Sequence, residues 1–84
     1  MYTYDRKIIL LDVDEMDHVT IEPKWGKPFN CKKAVRIIER YLAVYPEIAE
    51  SPDFIRYTDS ESEAELTACL VSMRTFLMKK INMA

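Results

Sequence analysis

The sequence predicts an α+β fold: a small antiparallel sheet packed against two amphipathic helices, in a single domain over residues 1–84. Three observations predict it. The first quarter alternates apolar and polar residues at period two, the pattern of strands. Two later stretches repeat apolar residues at helical spacing, each behind a helix-start signal. Gly26 is the only glycine, so turns must come from Asp, Asn, Ser and Pro and the elements should be tightly joined.

Tyr2 to Val13 reads as the first strand. Ile9, Leu11 and Val13 share one face, and Tyr2, Tyr4, Ile8 and Leu10 share the other. Two apolar faces imply cover on both sides or a partner chain on one. Asp14-Glu15-Met16-Asp17 is read as a polar turn. Beyond it, Val19, Ile21 and Trp25 alternate with His18, Thr20, Glu22 and Lys24, giving a half-buried second strand. Pro23 cannot donate to a ladder, which places that strand at an edge. The two strands make an N-terminal β-hairpin, which is marginal alone and needs helices on it.

The first helix starts at Asn30 as N-cap, with Phe29 and Ala34 as its staple. Ala34, Ile37, Ile38, Tyr41, Leu42 and Tyr45 follow at helical spacing, and Pro46 closes it. The second helix opens on a capping box, Ser60 with Glu63, and Glu61, Glu63 and Glu65 suit its positive end. Leu66, Cys69, Leu70, Met73, Leu77 and Ile81 form its buried stripe, and Lys79 and Lys80 suit its negative end. Between the helices, Phe54 to Thr58 is read as a short third strand, because three strands hold a sheet better than two. The alternative is an irregular connector that buries Phe54 and Ile55.

Composition excludes several classes. The chain is 49% hydrophobic and 31% charged with a net charge of −2, too apolar for a disordered tail. Two cysteines, Cys31 and Cys69, give at most one bridge, which excludes a disulfide scaffold. The longest apolar run, Tyr41 to Tyr45, is far short of the ~20 residues that span a bilayer, and no signal peptide is visible. The expected setting is cytoplasmic, with reduced thiols and no membrane.

Ile8-Ile9-Leu10-Leu11-Asp12-Val13-Asp14 resembles the first motif of haloacid-dehalogenase-type phosphatases, a hydrophobic strand ending in Asp-x-Asp. The resemblance implies Asp12 as nucleophile, Asp14 as acid/base and Mg²⁺ between them. It covers about seven residues. Glu15-Met16 stands where the family continues with Gly-Thr, and 84 residues leave no room for its parallel sheet. A calcium loop counted from Asp12 would need Gly and Glu where Asp17 and Pro23 stand. His18 and two distant cysteines offer no zinc-ligand spacing. Cys69 falls on an apolar stripe as a core thiol. Cys31 lies beside Lys32 and Lys33, but with no assignable base or oxyanion hole it is not read as a nucleophile. No catalytic residue, metal or cofactor is assigned, and the chain is expected not to be an enzyme.

The near-neutral total hides an acid–base–acid pattern. Asp12 to Glu22 holds five acids and no Lys or Arg. Pro23 to Ile38 holds five cations and no acid: Lys24, Lys27, Lys32, Lys33 and Arg36. Pro46 to Glu65 holds seven acids against Arg56. Lys32 and Lys33 sit at a helix start, where the macrodipole disfavours positive charge. Trp25 lies inside this block. Its phase with Val19 and Ile21 makes it a core anchor, and its cationic neighbours make a stacking platform the alternative reading. The acidic residues Asp12, Asp14, Asp17, Asp59 and Glu61 read as solvated loop and helix start, or as a surface competing with nucleic acid for a partner's basic groove.

The off-stripe residues Val71 and Met78, and the second face of the first strand, leave apolar surface over. Such a surplus points to a protein partner or a homodimer. The function expected is a non-enzymatic protein-binding module, an inhibitor or adaptor with partner-binding residues Lys24, Trp25, Lys27, Lys32, Lys33 and Arg36. Its general texture, rather than any motif, resembles phage and mobile-element accessory proteins of the anti-CRISPR and anti-defence type. The alternative is a nucleic-acid-binding regulator using the basic segment 24–36. A pI near 5.3 argues against it.

Overall fold

A computed structural model describes residues 6–83, and among these there is no strand. Helix α1 runs Arg6–Ile21, a 3-10 turn Glu22–Trp25 follows, and α2 runs Cys31–Val44. A second 3-10 turn, Pro46–Glu50, leads into an extended connector, and α3 runs Glu63–Met83. The expected α+β sheet is therefore corrected to an all-helical fold of three packed helices. Tyr2 and Tyr4, placed above on the first strand's second face, lie outside the described residues.

The β-hairpin is replaced by α1. Ile9, Val13, Met16 and Val19 recur at spacings of four, three and three, one stripe of a helix, and all four are buried. The period-two reading put Leu11 inside with Ile9 and Val13, yet Leu11 is 67% exposed. The supposed turn, Asp14 to Asp17, contains Glu and Met, good helix formers, and no Gly or Pro to break the helix. Pro23 sits in the first positions of the 3-10 turn, where a missing N–H costs nothing. Gly26 ends that turn at φ 81°, left-handed, with the Lys27 N–H reaching back to the Glu22 carbonyl at 3.1 Å.

Helix α2 starts where expected. The Asn30 side-chain oxygen accepts from the Lys33 N–H at 3.0 Å. Ala34, Ile37, Ile38 and Tyr41 are buried, and Pro46 stops the helix beyond Tyr45. The buried stripe of α3 is the expected one, Leu66, Cys69, Leu70, Met73, Leu77 and Ile81. Its cap is displaced by two residues. Ser62, rather than Ser60, caps the helix, its hydroxyl taking the Glu65 N–H at 3.3 Å.

The acids of α1 hold the helices together. Tyr45 donates its hydroxyl to Asp12 at 2.7 Å, Tyr41 donates to Glu15, and Arg74 donates to Asp17 at 2.7 Å. Both α2 and α3 run antiparallel to α1, so they are parallel to each other and the chain must travel the length of the bundle between them. Residues 51–62 make that crossing along α3. The Lys79 ammonium meets Asp53 at 3.1 Å. The Ser72 hydroxyl donates to the Cys69 carbonyl at 2.7 Å and accepts the Ile55 N–H at 3.1 Å. The third strand is thus corrected to an irregular connector, in which Phe54 and Tyr57 pack against the core and Ile55 is exposed. With no other strand to pair with, its amide bonds to a side chain instead.

Candidate functional site

The basic block spans two consecutive elements and the loop that joins them. Lys24 and Trp25 lie on the 3-10 turn, Lys27 follows Gly26, and Lys32, Lys33 and Arg36 occupy the first half of α2. Lys33 holds the turn to the helix through Glu22 at 3.1 Å. Lys32, Arg36 and Arg40 stand four residues apart on one line of α2, about 6 Å per step. Arg40, unassigned in the sequence reading, extends this row. Its signal was the i, i+4 spacing from Arg36. Its guanidinium lies 5.4 Å over the Tyr41 ring and 3.8 Å from Glu15.

Between this row and α1 runs an open groove of about 470 Å³, with Glu15 on one wall and Asn30 and Ile37 among its lining residues. No acidic residue sits in the first turn of α2 to complement its dipole. The groove's surplus positive charge is therefore left facing solvent, where it favours an incoming anionic group.

Trp25 departs from the core role predicted from its phase. It is 57% exposed, with its ring edge-on to His18 at 5.4 Å and 78°. The strand whose phase assigned it inward does not exist, and the core closes without it. A large exposed aromatic, flanked in the sequence by Lys24 and Lys27, is a surface feature here.

The acidic candidates are not brought together. Asp12 and Asp17 are engaged by Tyr45 and Arg74, while Asp14 is exposed on α1. The Asp-x-Asp of the phosphatase resemblance lies inside a helix rather than at a strand end. Asp59 and Glu61 stand at the start of α3, with the Asp59 carboxylate accepting the Glu61 N–H at 2.9 Å. Beside them the Glu65 carboxylate takes the N–H groups of Thr58 and Asp59, each at 2.8 Å, which lower it from the usual carboxylate value.

Cys31 is half-buried, and its thiol points at the Glu61 carbonyl at 3.7 Å. Cys69 is buried, and burial pushes its thiol up to about 11. Among the described residues no group of three or more His, Cys, Asp or Glu is placed to hold a metal ion. Nor is any described helix long and apolar enough to cross a membrane.

Of the leftover apolar residues, Met78 packs against the core. Ile8, Leu10, Leu11, Val44, Ile55 and Val71 are exposed alongside Trp25. Comparison with protein families, with curated proteins and with solved structures finds no match for this chain.

Proposed function

We propose that this chain is a non-enzymatic protein-binding module of the cytoplasm, an inhibitor or adaptor that docks on an acidic surface of another protein. The interface is the face of Trp25, Lys24, Lys27, Lys32 and Arg36, with Lys33 bracing it through Glu22. The observation that carries the reading is Trp25, more than half exposed although the core is complete without it. Exposed Trp beside Arg and Lys is the composition of binding hot spots, where a large rigid ring supplies contact area and cations supply orientation. Engagement of Asp12 and Asp17 inside the bundle makes the acidic side a weaker candidate.

The test is affinity capture with the tagged chain and its Trp25→Ser variant, each after nuclease treatment. Trp25 is more than half exposed and lies outside the buried core cluster, so the variant should keep its helical circular dichroism. A stoichiometric protein held by the parent and lost by the variant supports the reading. Equal capture by both, or none by either, overturns it.

A second reading has one observation in its favour. An exposed aromatic ring among cations also suits base stacking on single-stranded nucleic acid. Titration of DNA and RNA oligonucleotides at about 50 mM salt, read by Trp25 fluorescence, decides between the two. Quenching that weakens steeply with added salt favours nucleic acid, and a flat signal dismisses it.

A further inference from the structure

We infer that the end of the bundle carrying Trp25 is a two-fold interface that joins this chain to a second copy of itself. Three elements meet there. The turn Glu22–Trp25 is tied to the start of α2 by the Lys33–Glu22 pair at 3.1 Å. The start of α2 touches the start of α3, the Cys31 thiol donating to the Glu61 carbonyl at 3.7 Å.

That end therefore presents exposed Trp25, Pro23 and Pro28 beside two patches of opposite sign. Lys24, Lys27 and Lys32 make one, and Asp59, Glu61 and Glu63 make the other. Among the described residues the side chains of Lys27, Lys32, Glu61 and Glu63 take part in none of the ion pairs. Their charges face outward.

The Cys31–Glu61 contact brings the start of α2, with Lys32, beside the start of α3, with Glu61 and Glu63, so the two patches are neighbours on this end. A copy turned by 180° about an axis between them lays each basic patch on the other molecule's acidic patch, and every contact is made twice. Trp25, next to Lys24 on the turn, is carried into the contact with the basic patch and supplies its aromatic anchor. The arrangement also places carboxylates opposite Lys32, offsetting the unfavourable position of that cation in the first turn of α2.

Other occupants fit less well. An acidic partner on the Trp25 face pairs with the basic patch and leaves the acidic patch unpaired. A second copy satisfies both. Self-association would also cover Trp25, so a protein partner docking there would have to displace the second copy.

The test is light scattering on the full chain, with circular dichroism to verify folding. At about 50 mM salt the parent's mass should rise with concentration from 9.9 kDa toward twice that value, and about 500 mM salt should return it to one chain. The double variants Lys27→Glu/Lys32→Glu and Glu61→Lys/Glu63→Lys should each raise the dissociation constant about tenfold or more. Mixed in equal amounts, they should recover a two-chain species, because each supplies the sign the other lacks. A parent that stays monomeric at low salt overturns the inference, as do variants that associate like the parent or a mixture that remains monomeric. The Glu61→Lys/Glu63→Lys chain keeps its cationic face, so its capture of a protein partner reports on the proposed function separately.

Discussion

Replacing Tyr41 by Phe isolates a single hydroxyl at the contact between α1 and α2. The ring is 2% exposed and stays in the core after the change, so packing is untouched. What is lost is the bond from the hydroxyl to the Glu15 carboxylate. A hydrogen bond to a charged group contributes about 1.5–3 kcal/mol. The Glu15 side chain is 39% exposed and also faces Arg40, so water and the guanidinium recover part of it. The expected loss is about 1–2 kcal/mol, a fall of about 4–16 °C in the melting temperature for a domain of this size.

Tyr41→Ala, which also empties the ring's volume, should cost about 3–5 kcal/mol. Urea unfolding followed by circular dichroism measures both. Alkaline pH gives a second readout. Burial first, then the bond to Glu15 and the nearby Asp12 carboxylate, push the Tyr41 phenol well above its ordinary value of 10.0. The folded chain then holds its proton after the unfolded chain has released it. The stabilisation is complete below about pH 10 and drains away as pH rises beyond that, and the Phe variant should lack this share of the decline. A Phe variant as stable as the parent at pH 7, or as damaged as the Ala variant, would refute the reasoning.

Three further outcomes are expected. Asn30→Ala removes the cap of α2 and should lower stability by about 1 kcal/mol in thermal melts, with Asn30→Asp close to the parent. Glu65→Ala should free the connector from α3, seen as faster protease cleavage within residues 51–62 at neutral pH while the helices persist. Because the Glu65 carboxyl is held below its ordinary value, the clamp is present above the unfolded carboxylate range and released as pH falls through the lowered value, which two-dimensional amide spectra of Thr58 and Asp59 would follow. Thiol labelling near pH 8 should modify Cys31 and spare Cys69, whose burial keeps it protonated, until denaturant exposes both.

Sequence reading succeeded where a start signal and a single periodicity coincided. Asn30 ahead of Ala34, Ile37 and Ile38, and the long stripe from Leu66 to Ile81, admit one interpretation each. It failed at α1 because two periodicities overlap there. Ile8 to Leu11 are all apolar, so Ile9 and Val13 fit a strand with Leu11 or a helix with Met16 and Val19. Local preference of Ile and Val for strands favoured the first, and packing against α2 and α3 decided for the second. Over Arg6–Ile21 the stripe Ile9, Val13, Met16 and Val19 fits a helix, but the exposed apolar residues Ile8, Leu10 and Leu11 off that stripe blur its phase. The same error turned Trp25 inward. The basic block itself was legible, since five cations within 16 residues fall on neighbouring elements in any compact fold, whereas the engagement of Asp12 and Asp17 required knowing which helices meet.

Arg6 donates to the Ile81 carbonyl at 3.3 Å, across 75 positions of sequence. That clasp belongs to the most extensive helix–helix contact in the bundle, the one between α1 and α3. During synthesis α1 is made before α3 and must wait, its greasy side uncovered, until α3 leaves the ribosome. Loss of the final two turns of α3 would strand α1 rather than shorten the bundle, so the molecule should be made or degraded as a unit, with no stable half-product in between.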